Sequence, residues 1–121
     1  MREAIAALDW QRIATELDAT GCATTGPLLS PGLCASIVSG YDDAALFRAR
    51  VVMARHGFGR GEYQYYAYPL PDPIQALRAA LYPKLAAIAQ GWAGALGIAS
   101  TYPATHEEFL ATCHVHRAIQ F

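Results

Sequence analysis

The chain has 121 residues, of which 54% are apolar and 16% charged, and its formal charge is −1 at neutral pH. These totals bound it to one domain with a real core, exclude wholesale disorder, and argue against a broad basic surface for nucleic acid while leaving a local patch open. No apolar run approaches the ~20 residues of a membrane span, and MREAIAALDWQRIATELD carries charges throughout, unlike a signal peptide.

The first helix is expected from the cap Asp9 to about Ala19, with Ala6, Trp10, Ile13 and Leu17 on one face and Gly21 just past the end. Residues 22–29, interrupted by Gly26-Pro27, read as a short edge strand or extended segment, because proline cannot donate to a central ladder. Ser30-Pro31 is a helix start, a capping side chain followed by proline at the first helical position. Leu33, Cys34, Ile37, Val38 and Tyr41 then form an apolar stripe, and Asp42-Asp43 ends this helix or caps a short turn. Cys22, Cys34 and Cys113 lie far apart with no C-x-x-C pair, which suits buried thiols in a reducing cytoplasm.

Residues 48–68 read as a β-hairpin. Arg48 to Arg55 alternates in part, with Ala49, Val51 and Met53 facing one way and Arg48, Arg50 and Val52 the other. Glu62 to Tyr68 is the most strand-like run, with Tyr63 and Tyr65 on one face and Tyr66 and Tyr68 on the other. Between them, His56-Gly-Phe-Gly-Arg-Gly61 supplies a flexible tip. Asp72-Pro73 starts a long apolar helical face from Ile74 to Trp92, with Pro83 predicting a kink or two helices, and Gly97 a stop. Thr105-His-Glu-Glu108 has the form of a capping box, with a helix to follow that buries Phe109, Leu110 and Cys113.

The chemistry concentrates in the hairpin. Gly57-Phe-Gly-Arg-Gly61 lacks the G-K-[ST] and the following helix of a phosphate loop. Arginines 48, 50, 55 and 60 beside tyrosines 63, 65, 66 and 68 suit bases and phosphates, or a carboxylate or peptide pocket. The plainer alternative makes one tyrosine face core and pairs the arginines with Glu62, Asp42 or Asp43. His114-Val-His116 would place two imidazoles on one side of a strand, a weak metal pair lacking a third ligand.

RVVMARHGFGRGEYQYYAYPLP, LRAALYPKLAAIAQGW and YPATHEEFL-x-x-CH, with DWQRIATELDATGCA and YDD-x-x-LFRARVVM before them, resemble a family over about residues 8 to 114. It is the N-terminal half of bacterial Fe(II)/2-oxoglutarate-dependent oxygenases of prolyl-hydroxylase-like type. The resemblance implies a double-stranded β-helix (jelly roll) preceded by helices and a few strands. It also implies iron on an H-x-D and a distant histidine, and a basic residue for the 2-oxoglutarate carboxylate. The sequence contains no H-x-D, so no ligand is carried over to a position here.

The resulting expectation is an α+β fold, an incomplete part of that jelly roll in a single partial domain. Residues 1–47 would be a helical N-terminal part, 48–68 the hairpin, 72–113 a helical part, and 114–121 a tail that departs from the family pattern through a frameshift or a cut. Fe(II) and 2-oxoglutarate belong to the intact family and would not bind this chain tightly, which alone would be inactive. A small-molecule or peptide substrate is expected for the intact enzyme, with Arg50, Arg55, His56, Tyr63 and Tyr65 as its candidate contacts. Nucleic acid and membrane are not expected as partners, whereas self-association through an exposed apolar face is, in a cytoplasmic setting. The alternative is a stand-alone protein-, peptide- or RNA-interaction module using the Arg/Tyr hairpin, and a third reading is a metal protein using His114 and His116.

Overall fold

The computed structural model describes residues 1–115. The fold is α+β: helices α1 (Arg2–Ala6), α2 (Trp10–Thr20), α3 (Pro31–Ser39), α4 (Asp72–Ala95) and α5 (His106–Val115), with one antiparallel hairpin, β1 (Phe47–Val52) and β2 (Glu62–Tyr66). The chain falls into two compact units, Leu29–Gln75 and the remainder, Met1–Leu28 with the residues from Ala76 onward. Among the described residues, no helix is long and apolar enough to cross a membrane.

In the unit holding both ends of the described chain, Asp9 caps α2 by accepting from the Arg12 amide at 3.0 Å. Gly21, at φ 75°, closes the helix. The sequence places Ala6 on the α2 face; it lies instead on α1, which the Trp10 indole ties to α2 by donating to the Ile5 carbonyl at 2.9 Å. Ile5, Ile13, Ala93 and His106 are buried here, while Trp10 and Leu17 are half-buried. The Trp92 indole on α4 donates to the Asp18 carboxylate on α2.

Residues 22–29 pair with no strand. The Arg12 guanidinium holds this extended segment through the Thr24 carbonyl at 3.1 Å, while its other nitrogen bonds Glu16 at 2.8 Å.

Of the kink or two helices expected at Pro83, the division into two is not found: α4 runs as one 24-residue helix with the proline inside. Strong helix formers on both sides offset the one backbone donor that proline removes. Gly97 ends it at φ 69°, and the Ile98 amide donates to the Ala93 carbonyl at 2.8 Å, closing the terminus. The following loop folds back on α4. Gln90 donates to Ser100 O at 2.7 Å and accepts from the Tyr102 amide at 3.0 Å, and the Tyr82 hydroxyl donates to Pro103 O at 2.9 Å. Thr105 then caps α5, its hydroxyl accepting from the Glu108 amide at 3.2 Å.

In Leu29–Gln75, Ser30 accepts from the Leu33 amide at 3.1 Å and Pro31 takes the first helical position of α3. Ser30→Ala is expected to cost about 1 kcal/mol, read as a fall in urea midpoint at unchanged slope. The expected apolar stripe of α3 is not a core face: none of its residues is buried, and Val38 is 73% exposed. Asp43 caps a tight turn over Ala44–Leu46 that delivers the chain into β1.

The cysteines depart from the expectation of buried thiols, since Cys22 and Cys34 are exposed and Cys113 is half-buried.

The hairpin has the register Val52↔Glu62, Val51↔Tyr63, Arg50↔Gln64 and Ala49↔Tyr65, then a bulge before Phe47↔Tyr66. β1 is shorter than expected, because Met53–His56 coils into a 3-10 turn that Gly57 ends in the left-handed region at φ 69°. The bulge also changes the faces. Arg48 sits at the bulge, and its guanidinium lies over the Tyr65 ring, 5.3 Å from the centroid.

Candidate functional site

The hairpin presents two chemically different faces. On one, alternation from β2 aligns Glu62, Gln64 and Tyr66, and the register sets Arg50 opposite Gln64. Phe47 stacks on Tyr66 at 4.9 Å between centroids and meets Tyr41 at 5.8 Å. An open cavity of about 440 Å³ beside these residues is lined by Tyr41, Asp42, Ala44, Phe47, Arg48, Ala49, Arg50, Glu62 and Gln64.

A polar network occupies its wall. The Arg50 Nη2 donates to Glu62 Oε1 at 2.6 Å, the Tyr41 hydroxyl donates to Glu62 Oε2 at 3.2 Å, and Gln64 Nε2 donates to the Tyr41 carbonyl at 2.9 Å. The Arg50 guanidinium holds the Glu62 carboxyl below the usual carboxylate range, and Glu62 in turn raises Arg50. Partial burial, then the neighbouring Glu62 carboxylate, pushes the Tyr41 phenol up. Both charges of the Arg50–Glu62 pair remain solvent-accessible, so the pair fixes side-chain positions more than it stabilises the fold.

On the opposite face, Tyr63 and Tyr65 meet edge to face at 5.6 Å, with the Arg48 guanidinium over the second ring. Burial, then the neighbouring Tyr65, raises the Tyr63 phenol. At the tip, His56 and Phe58 stack at 5.8 Å, and Arg55 and Arg60 are exposed.

The five candidate contacts therefore do not form one site. Arg50 lines the cavity, Tyr63 and Tyr65 lie on the other face, and Arg55 and His56 stand at the tip. Sequence reasoning omitted Tyr41 and Gln64 as cavity residues. Glu62, the one acid between residues 47 and 68, was the available signal for the partner of Arg50.

Among the described residues, no group of three His, Cys, Asp or Glu side chains could hold a metal ion. His114 lies on the helix α5, not on the strand expected for it. His116 lies outside the described residues. The described side chains thus do not fit an iron centre.

No solved structure matches the chain. Two uncharacterized proteins of Mycobacterium tuberculosis, from two strains, are each 44% identical to it over 46 residues. That stretch is 38% of this chain and 20% of each relative, so the chain matches about a fifth of the length of these curated relatives. Residues 61–120, just under half of the chain, match the family described as "Oxygenase, catalysing oxidative methylation of damaged DNA". This corrects the prolyl-hydroxylase-like resemblance drawn from the sequence. The quoted patterns describe a scaffold of strand and helices, and a scaffold does not specify a substrate. Over residues 61–120, from the last glycine of the hairpin tip through β2, α4 and α5, the chain is similar to an oxygenase-family domain described for damaged DNA.

Proposed function

We propose that this chain forms part of an oxygenase domain acting on methyl-damaged DNA, with Fe(II) and 2-oxoglutarate as its cofactors. The family match over residues 61–120 carries the reading. The iron ligands and the basic partner of 2-oxoglutarate would come from residues other than those described, since these hold no three-donor cluster. No chemical step is assigned to the described side chains. Their contribution in this reading is a scaffold, α4 with α5, and a hairpin whose two faces reach solvent with distinct chemistry.

Expressed at the full length of its gene, the protein is expected to convert 2-oxoglutarate to succinate faster with base-methylated than with unmodified oligonucleotide. Mass spectrometry of the recovered DNA should show loss of the methyl mass or gain of oxygen. Succinate formation indifferent to methylated DNA, with the DNA unchanged, would refute the assignment. Residues 1–115 alone are expected to give no succinate.

A further inference from the structure

We propose that the Tyr63–Tyr65–Arg48 face of the hairpin, with its tip, is a stacking surface for single-stranded DNA. It goes beyond the oxygenase reading, because it requires no iron, cofactor or lesion.

The face is aromatic, and its cations are Arg48, which also borders the cavity holding Glu62 and Asp42, and the arginines of the tip. Tyr63 is 42% exposed and Tyr65 stands edge-on to it, so one ring edge and one ring face are set at nearly a right angle, 84°. Arg48 already lies over Tyr65, and a planar guanidinium stacks on a base as readily as on a phenol. The tip adds Arg55 and Arg60, together with Phe58, 70% exposed and stacked on His56. A large aromatic ring left that open at the end of a hairpin does not serve a core.

The charge distribution selects the occupant. Residues 47–68 contain four arginines and one glutamate, in a chain whose formal charge is −1. That glutamate, Glu62, is held by Arg50 and Tyr41 on the other face, so it does not neutralise the tyrosine face. Ring faces interleaved with guanidiniums match a chain of exposed bases on a phosphate backbone. A duplex hides its base faces, so it could use the arginines but not the tyrosines. The glycines of the tip, positive in φ at 57, 59 and 61, carry no side chain that would hold a strand away from the backbone.

The test is fluorescence anisotropy of a labelled, unmethylated oligonucleotide of mixed sequence with the metal-free chain at low salt. Tyr65→Ala is expected to weaken binding roughly tenfold, and the Tyr63→Ala/Tyr65→Ala pair further. Tyr65→Phe keeps the ring and should bind as the parent does. Arg55→Ala with Arg60→Ala should reduce the salt slope by about 1.4, near 0.7 for each phosphate left unneutralised. Lys84→Ala, which removes a positive charge from α4, should leave binding unchanged, and circular dichroism should show every variant folded. Binding unaffected by both tyrosine substitutions overturns the proposal, as does duplex or RNA bound as tightly as single-stranded DNA. If binding behaves as expected and methylated DNA still elicits no turnover from the full-length protein, the oxygenase reading falls by itself. If turnover occurs without tyrosine-dependent binding, this proposal falls instead.

Discussion

Ile13→Ala is expected to lower stability by about 2–5 kcal/mol and the melting temperature by roughly 10 °C or more. Ile13 is 4% exposed, in a unit where Ile5, Ala93 and His106 are the other buried residues described. Truncation removes apolar packing and leaves a void that short, separately capped helices refill poorly. So few buried side chains carry this unit that each holds a large share of a margin of roughly 5–15 kcal/mol. Urea unfolding followed by the fluorescence of Trp10 and Trp92 measures it. Val38→Ala, at a position 73% exposed on α3, serves as the contrast and should fall within about 0.5 kcal/mol of the parent. A similar small change for Ile13→Ala would show that α2 does not pack through this residue.

Acidification is expected to destabilise the packing of α4 against α5 through His106. The imidazole is 8% exposed and its buried Nδ1 has no hydrogen-bond partner. Burial, then the Arg78 guanidinium, lowers its pKa from the ordinary value of 6.5. Tyr82 packs on it from α4 at 5.7 Å; burial, then Cys113 and Glu108 on α5, raise that phenol. Because the folded pKa is the lower one, the unfolded chain takes up the proton first. The contribution is therefore complete above about pH 6.5 and declines as pH falls from there toward the depressed folded value. His106→Leu should remove that part of the slope. Urea midpoints at about pH 7.5 and about pH 5.5 should separate parent from variant at the acidic condition. Equal losses in both proteins would mean that the histidine is not the titrating group.

The elements that could be read from the sequence are those set by neighbours in the chain. Asp9, Ser30 and Thr105 cap helices because a short polar side chain reaches an amide three residues on. Gly21 and Gly97 stop helices because the left-handed conformation favours glycine there. The hairpin followed from alternation around a glycine-rich tip. What escaped depends on distant residues or on a slip of one position. The bulge between Phe47 and Ala49 leaves Arg48 without a partner in the register, where its guanidinium lies over Tyr65, and no local pattern marks it. The cavity joins Tyr41 to Glu62 across 21 positions. The capping-box pattern at Thr105–Glu108 says nothing of the burial of His106, which depends on Tyr82 approaching from another helix. The α3 stripe has helical spacing yet only Leu33 and Ile37 of its helix residues are even half-buried, since periodicity marks a face and not its neighbour. For the same reason the long pattern pointed to an oxygenase and to the wrong branch: a pattern of helices and strands does not specify a substrate.

A sheet of two strands has two rims. Along each of β1 and β2, one row of amides and carbonyls points away from the partner strand. On β1 the bulge breaks the spacing of that row, while β2 keeps it regular over Glu62–Tyr66. Deuterium uptake along β2 is thus expected to alternate, slow where an amide points to β1 and fast where it points outward. The fast amides are the donors that a third strand, from any source, would use, and such a strand would be recognised by main-chain spacing with little regard to its sequence.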